Sequence, residues 1–206
     1  MRIEWSESMD FLKAVRNRRS IYSISSVSTI DDGRIIKILE EAILHTPSPN
    51  NIQQARIALL LGTHHARLWD IVMEELRQRV APEKFARTES KVNSFKAGYG
   101  TVLFFTDGDA VAELSVRFPR YAETHPIWAH HSQGMLQFVV WTALESEGLG
   151  ASLQHYNPII DDKVRAEWGI HPSWQLMAQM PFGKPTAPAG EKTFLPIEMR
   201  LKVFNG

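Results

Sequence analysis

The sequence contains no cysteine, which excludes disulfide bonds, a thiol nucleophile and thiolate metal ligands. It also lacks net charge: 23 basic residues balance 23 acidic ones, so composition gives no support for binding to nucleic acid or to an anionic membrane. No segment approaches the length of a membrane span, and the first residues, MRIEWSESMDFL, carry acidic groups where a signal peptide needs an apolar run. We therefore expect a soluble cytoplasmic protein with no nucleic-acid or membrane partner.

Signatures of several enzyme classes are missing as well. No HExxH pattern occurs, and neighbours in the two adjacent histidine pairs would diverge by about 100° on a helix, so no metal site is expected. The GLG at 148–150 is half of a dinucleotide fingerprint and ends a helix instead of following a strand, which disfavours a Rossmann fold. Ser152 has no nucleophile elbow around it, so a serine hydrolase is not favoured.

What is present fits one domain with a large core. A chain of 206 residues can bury such a core, and no repeat or interdomain linker is visible, so we expect a single domain over residues 1–206. Apolar periodicity predicts helices over 10–18, 31–45, 64–79, 82–98, 110–117, 126–147 and 161–168. It predicts strands over 57–61, 99–106, 151–155 and 174–182. Strands separated by helices indicate an α/β or α+β domain with one mixed sheet.

Two segments suggest a subunit interface. The run MLQFVVWTAL at 135–144 is apolar nearly all round, which is typical of a helix buried in a large core or between subunits. The tail from Lys184 is rich in Pro and Gly until LPIEMRLKVF, whose alternation predicts a last strand or an extended arm. An arm that follows a loose linker often packs on a neighbouring subunit.

The stretch PSPNNIQQARIALLLG at 47–62 is a candidate binding element. Its amide-rich loop runs into a buried strand, and a loop fixed in this way is well placed to hold a planar ligand that forms hydrogen bonds. An ordinary loop is the alternative, because Pro, Asn and Ser are common in loops. A second candidate is the basic cluster of Arg16, Arg18 and Arg19 with Ser20, which suits a phosphate. The alternative for this cluster is a solvated helix C-terminus.

The order of these motifs resembles that of the FMN-dependent nitroreductase family. RNRRS follows the first helix, PSPNNIQQ precedes the first core strand, GLGASLQHYNP follows the long apolar helix, and PFGKP and EKTFLPIE lie near the end. GYGTVLFF, LQHYNP and EKTFLP are specific in combination, and the likeness runs from about Phe11 to Phe204. It is to the short branch typified by the fungal fatty-acid-repression-mutant proteins and their bacterial relatives.

This resemblance implies an α+β fold, a three-layer sandwich with a central mixed sheet and helices on both faces. It also implies a homodimer with two FMN molecules at the interface. Residues 1–9 would be an N-terminal extension, and residues 184–206 would be a linker and an arm exchanged between subunits.

The resemblance also implies site residues, position by position. Arg18 and Ser20 match positions that hold the FMN phosphate and ribityl chain, with Arg19 between them, and Lys192 matches the late phosphate lysine. Further residues near the isoalloxazine are expected at Ser48, Asn51 and Gln53 of the amide loop and at Gln154, His155 and Tyr156, whose main-chain groups would face the flavin N5 edge from the other subunit. Asn50 and Gln54 are expected to be ordinary loop residues.

Three departures from the family pattern stand out. Phe194 occupies the place of a second basic residue near the phosphate, so Arg19 is expected to supply that charge. Tyr22 stands where many relatives have a lysine, so Lys91 or Lys96 is the remaining candidate for a cation near flavin N1 and O2. His155 and Tyr156 replace the usual glycine or glutamate near N5.

The function implied is electron transfer from NADH or NADPH to nitroaromatic or quinone-type acceptors by a ping-pong mechanism. Substrate-pocket candidates are His155, Tyr156, Trp128 and His131, the last two being equally compatible with an ordinary interface. One alternative is a flavin-binding protein with a regulatory or redox-stress role and little turnover. Another is a different flavin reaction, such as dehalogenation or flavin destruction, for which segment 81–97 would have to serve as a substrate lid.

Overall fold

The computed structural model describes residues 11–205, in which one or two helices lie between most successive strands of one sheet. The α-helices are α1 (Phe11–Asn17), α2 (Asp32–His45), α3 (Gly62–Arg77), α4 (Pro82–Lys96), α5 (Gly108–Arg117), α6 (His125–Ser146) and α7 (Asp161–Trp168). The strands are β1 (Ile24–Ser25), β2 (Ala55–Leu61), β3 (Gly100–Asp107), β4 (Gly150–Ala151) and β5 (Trp174–Pro185). Short 3₁₀ turns occur at Pro49–Asn51, Pro119–Tyr121 and Ile197–Met199. The expected N-terminal extension, residues 1–9, lies outside the described residues.

The sheet has the order β1–β5–β3–β2, and β4 pairs with the far end of β5. All four strand pairings are antiparallel. Within residues 11–205 the parallel component of the expected mixed sheet is reduced to an isolated bridge between Ser20 and Ala151.

Strand β3 divides the core in two, because successive side chains of a strand point to opposite faces. Val102 and Phe104 face α2 and α6, while Leu103 and Phe105 face α3, α4 and α7; all four are buried. Helices therefore cover both faces of one central sheet, and the predicted α+β sandwich is confirmed.

Helix α6 is not buried on all sides by the core of a single chain, which leaves the interface alternative open. Leu136, Val140 and Leu144 are fully buried against the sheet. Ile127, Met135 and Val139 are 52%, 42% and 41% exposed on the opposite side of the helix. In the isolated chain α6 thus presents an apolar face to solvent.

The C-terminal segment forms no strand between Thr186 and Asn205, so the strand expected there is wrong and the extended-arm alternative remains. Its apolar side chains are exposed, Phe194 by 72% and Phe204 by 92%. Exchange of this arm between subunits stays a prediction. Among the helices of residues 11–205, none is long and apolar enough to cross a membrane.

Two other local expectations differ from the structure. The strand expected over 151–155 is limited to Gly150–Ala151, and Gln154 returns to β5 through a single bridge with Gln179. The two-residue strand Ile24–Ser25, which the sequence does not predict, pairs with Lys184 and Pro185.

Candidate functional site

Four of the predicted phosphate-site residues meet in one cavity of about 470 Å³, here called the basic cavity. Its lining residues are Arg18, Arg19, Ser20, Tyr22, Gly190, Glu191 and Lys192. Three cations and one carboxylate give these residues a formal charge of +2. The cavity thus joins the end of the first helix to the start of the C-terminal segment.

Local structure fixes one wall of the basic cavity. Helix α1 ends at Asn17, and the Arg18 N–H still donates to the Ala14 carbonyl at 3.0 Å. Just beyond, Ile21 N–H donates to the Ala151 carbonyl at 2.9 Å, which ties the RRS segment to the sheet. The chain therefore leaves the helix with Arg18, Arg19 and Ser20 held between two anchored points.

Arg18 is half-buried and stacks on α6. Its guanidinium carbon lies 4.4 Å from the centroid of the Trp141 ring. Burial lowers the pKa of Arg18, the charge of Arg19 lowers it further, and Glu145 acts in the opposite direction. Arginine remains protonated in proteins, so Arg18 presents a fixed positive charge to the cavity.

Arg19 and Lys192 differ in what they contact. Arg19 Nη2 donates to the Gly190 carbonyl at 2.5 Å and so holds the linker across the cavity. Lys192 Nζ lies 5.1 Å from the centroid of the Phe194 ring. Arg19 therefore uses one donor group on the linker and keeps the others for the cavity. Phe194, at the position of the expected second cation, contacts Lys192 instead.

A second group of predicted residues lines a smaller cavity of about 210 Å³, here called the amide cavity. Its walls are formed by Ile43, Leu44, Thr46, Ser48, Asn51, Gln53, Ala55, Arg56, Ser132 and Leu136. The structure thus brings the three predicted loop residues, Ser48, Asn51 and Gln53, to one cavity. Arg56 was not predicted; the only signal in the sequence is a basic residue at the start of the strand that follows the amide loop.

The amide loop has an unusual backbone. Asn50, Asn51 and Gln53 have φ angles of 48°, 54° and 51°, the left-handed region that non-glycine residues seldom adopt. The Ser48 hydroxyl accepts a hydrogen bond from Gln53 N–H at 3.0 Å. Ser132 on α6 donates to the Pro47 carbonyl at 2.9 Å and anchors the entry of the loop.

Gln54 differs from the expectation of an ordinary loop residue. It is fully buried, and its carbonyl accepts from Asp107 N–H at 2.8 Å. Within residues 11–205 neither polar atom of its side-chain amide has a hydrogen-bond partner. Gln54 is therefore a core residue behind the loop.

The third predicted group, residues 154–156, is tied to β5. Gln154 exchanges backbone hydrogen bonds with Gln179, and Tyr156 N–H donates to Gln179 Oε1 at 2.7 Å. The Tyr156 ring meets Trp69 edge-on at 5.9 Å, and burial raises the pKa of its phenol to about 12. Of the main-chain groups expected to face the flavin, the N–H groups of Gln154 and Tyr156 thus bind within the chain, and exposed His155 lies between them.

The remaining pocket candidates lie elsewhere. Trp128 packs against Tyr121 at 5.8 Å and His125 at 5.2 Å near the start of α6, and His131 is exposed one turn later. In the single chain, neither lines the basic or the amide cavity. Trp128 and His131 therefore do not join the other predicted residues within one subunit.

Neither lysine proposed for the flavin ring lines these cavities. Lys96 Nζ pairs with Asp70 at 2.5 Å on the surface of α3. Lys91 Nζ lies 5.9 Å from the Phe95 ring centroid. Arg56 is the cation that stands beside Asn51 and Gln53.

Helix α6 separates the two cavities. Ser132 contacts the amide loop, and Trp141 contacts Arg18 in the basic cavity. These positions lie about 14 Å apart along the helix axis and about half a turn apart around it. The basic and amide cavities of one chain therefore lie on different sides of α6. Within residues 11–205 no group of three His, Cys, Asp or Glu side chains is arranged to hold a metal ion.

Comparison with known proteins gives consistent matches. The model of the nitroreductase family matches residues 15–184. The nitroreductase FRM2 of Saccharomyces cerevisiae is 35% identical, with 92% of this chain and 95% of FRM2 covered, and HBN1 of the same yeast is 35% identical with 95% and 97% covered. The structure of nitroreductase CinD from Lactococcus lactis in complex with chloramphenicol superposes with a TM-score of 0.87 at 40% identity, covering 95% of this chain and all of CinD.

Proposed function

The chain belongs to the nitroreductase family and is a nitroreductase-type oxidoreductase; from this premise we propose that it uses FMN to pass electrons from NADH or NADPH to nitroaromatic or quinone-type acceptors in the cytoplasm. Bound FMN would supply the redox chemistry of this ping-pong reaction, while the residues of the chain bind and orient it. The observation that carries this proposal is the convergence of Arg18, Arg19 and Lys192 on the basic cavity.

The basic cavity fits the phosphate end of FMN. A phosphate monoester carries a charge of about −1.5 to −2 at neutral pH, which complements the formal +2 of the lining residues. The Arg18 fork can bind two phosphate oxygens, and Trp141 limits its motion. Ser20 supplies a hydroxyl beside the cations, where the ribityl chain would begin.

We expect the ring end of FMN to lie against a second copy of the chain. The amide cavity with Asn51 and Gln53 lies on another side of α6 from the basic cavity, so a flavin held by Arg18 would meet the amide loop of a partner subunit. The exposed apolar face of α6 and the exposed C-terminal arm support a homodimer, because burial of such surface drives association. Exchange of residues 184–206 completes this arrangement.

The acceptor would lie beside His155, an exposed residue whose neighbours Gln154 and Tyr156 are hydrogen-bonded to Gln179. Trp128 and His131 would extend the same pocket from the partner subunit. Structures of CinD are described in complex with chloramphenicol and with 4-nitrophenol, both nitroaromatic compounds. Similarity to CinD supports acceptors of that class for this chain.

The decisive test is the colour of the purified protein and its response to reductant. We expect a yellow protein, or one that becomes yellow with added FMN, which is bleached by NADH or NADPH without air and regains colour with a nitroaromatic compound or a quinone. A colourless protein that does not bind FMN would refute the proposal. A turnover screen with both nucleotides then identifies the preferred donor.

A flavin-binding regulator with little turnover is the alternative that Phe194 and Tyr22 keep open, since both replace cations of the family pattern. Binding of FMN without reduction by either nucleotide would favour it. The structure does not favour a substrate lid, which dehalogenation or flavin destruction would need. The candidate segment, 81–97, consists of helix α4 with one residue at each end, and Val92 and Phe95 of α4 are fully buried against α3 and its neighbours.

A further inference from the structure

The amide loop contains one residue whose backbone conformation is poorly suited to its side chain. Asn50, Asn51 and Gln53 all have positive φ. Asparagine enters the left-handed region comparatively easily because its short polar side chain can bond locally. Glutamine lacks this advantage, so Gln53 at φ 51° needs support from its surroundings.

Two side chains provide that support by binding both polar groups of the Gln53 backbone. Its N–H donates to the Ser48 hydroxyl at 3.0 Å. Its carbonyl accepts from Arg56 Nη1 at 2.5 Å, and the same nitrogen also donates to the Ala55 carbonyl at 2.9 Å. The left-handed turn therefore presents its carbonyl to a guanidinium.

Arg56 is itself fixed from the other side. Its Nη2 pairs with Asp107 Oδ2 at 2.8 Å, and its guanidinium lies 5.7 Å from the Trp174 ring centroid. Asp107 Oδ1 accepts from the Ser173 hydroxyl at 2.8 Å and from Asp109 N–H at 3.1 Å. The pKa of Asp107 is lowered despite the opposing effect of its burial, because these hydrogen bonds and the charge of Arg56 favour the carboxylate.

We propose that Arg56, held in place by Asp107, is a positioning residue. It keeps the Gln53 backbone in its left-handed conformation and thereby directs the side-chain amide of Gln53 toward the amide cavity. This inference rests on the proposed function, because the ligand of that cavity is the flavin ring. Lysine is not an adequate substitute, since one ammonium cannot reproduce the planar fork that joins the Gln53 carbonyl to the Asp107 carboxylate.

The test uses Arg56→Met with a rescue at Gln53. Loss of the guanidinium removes the hydrogen-bond partner of the Gln53 carbonyl. We therefore expect the backbone amide hydrogen of Gln53 to exchange with solvent about tenfold faster, measured in the absence of FMN. We expect the dissociation constant for FMN to rise about tenfold, which corresponds to about 1.4 kcal/mol. Gln53→Asn in the Arg56→Met background should restore slow exchange of the backbone amide at position 53, because asparagine needs less support in the left-handed region. Affinity is compared only between proteins that keep Gln53, because the shorter side chain changes the cavity lining itself.

The matched control is Arg67→Met, which removes an arginine paired with Glu74 and Glu167 on the surface, away from both cavities. We expect it to leave exchange at Gln53 and FMN affinity unchanged. Arg56→Met with unchanged exchange and affinity overturns the inference, and so does fast exchange at position 53 that Gln53→Asn fails to slow. If the wild-type protein does not bind FMN, the proposed function fails, and the exchange measurement still decides the role of Arg56.

Discussion

The guanidinium of Arg18, which lines the basic cavity, lies over the Trp141 ring, with its carbon 4.4 Å from the ring centroid. Glu145, one helical turn beyond Trp141, is close enough to act on the pKa of Arg18. Burial raises the pKa of the Glu145 carboxyl, and Arg18 lowers it. Helix α6 therefore sets the orientation of a residue that the sequence predicts to bind phosphate.

Replacing Trp141 should weaken FMN binding indirectly, because Trp141 contacts Arg18. A cation–π contact contributes about 0.5–2 kcal/mol, so Trp141→Leu should raise the FMN dissociation constant about twofold to thirtyfold. Trp141→Phe is the matched control, because it keeps a ring under Arg18. The indole Nε1 has no hydrogen-bond partner within residues 11–205, so the phenylalanine variant loses none there. Flavin fluorescence titration measures the FMN dissociation constants of both variants. Equal dissociation constants would show that the aromatic ring under Arg18 does not contribute to FMN binding.

Lys192 should discriminate between phosphorylated and unphosphorylated flavin. Hydrogen bonds to charged groups contribute about 1.5–3 kcal/mol, so Lys192→Met should weaken FMN binding by about tenfold or more. Riboflavin, which lacks the phosphate, should bind the variant and the wild-type protein equally. Lys37→Met, at an exposed lysine paired with Glu41 on α2, is the control for loss of surface charge. Comparable losses for FMN and riboflavin would place Lys192 away from the phosphate.

The meeting of Arg18, Arg19, Ser20 and Lys192 in one cavity was predictable from sequence, because RNRRS early and EKTFLP late stand in a recognisable order; phosphate binding there stays a prediction. Helix α7 was predicted at its observed bounds because its signals are local: two aspartates in the first turn and Gly169 in the left-handed conformation after the last. Strand β1 was not, since two residues carry no periodicity and their partners, Lys184 and Pro185, lie far along the chain.

Arg56 escaped prediction for a physical reason. Its role depends on the left-handed backbone of Gln53 and on Asp107, which is 51 residues away in the sequence. No spacing rule relates these residues. Gln54 was misjudged for a related reason, because its neighbours in the amide loop are exposed and only the three-dimensional structure shows that it turns into the core.

His65 should make the folded state sensitive to acid. It is buried, its Nδ1 lies 2.8 Å from Thr101 Oγ1, and its Nε2 lies 3.1 Å from the Lys96 carbonyl. Burial lowers the pKa of His65 below its ordinary value, and the backbone hydrogen bonds only partly offset this. In the unfolded chain His65 therefore binds a proton at a higher pH than in the folded chain, so stability is lost as pH falls below about 6.5.

Chemical denaturation between pH 7 and pH 5 tests this effect. One such histidine changes the free energy of unfolding by at most about 1.4 kcal/mol per pH unit. His65→Gln keeps a donor for the Lys96 carbonyl and removes the titrating group, so its stability should depend less on pH than that of the wild-type protein. Parallel curves for the two proteins would show that another group is responsible.

Truncation after Pro196 should weaken the dimer while leaving the basic cavity in place, because Lys192 is retained. The removed residues include Ile197, Met199 and Phe204, which are 65%, 72% and 92% exposed in the single chain. A fully buried apolar side chain contributes about 1.5–3 kcal/mol, so loss of several such contacts with a partner should shift the protein toward monomer. FMN should bind more weakly as well, because the proposed site places its ring end against the amide loop of the partner. Sedimentation velocity and flavin absorbance measure the two effects on one sample, and a truncated protein that stays dimeric and yellow would contradict the proposed arm exchange.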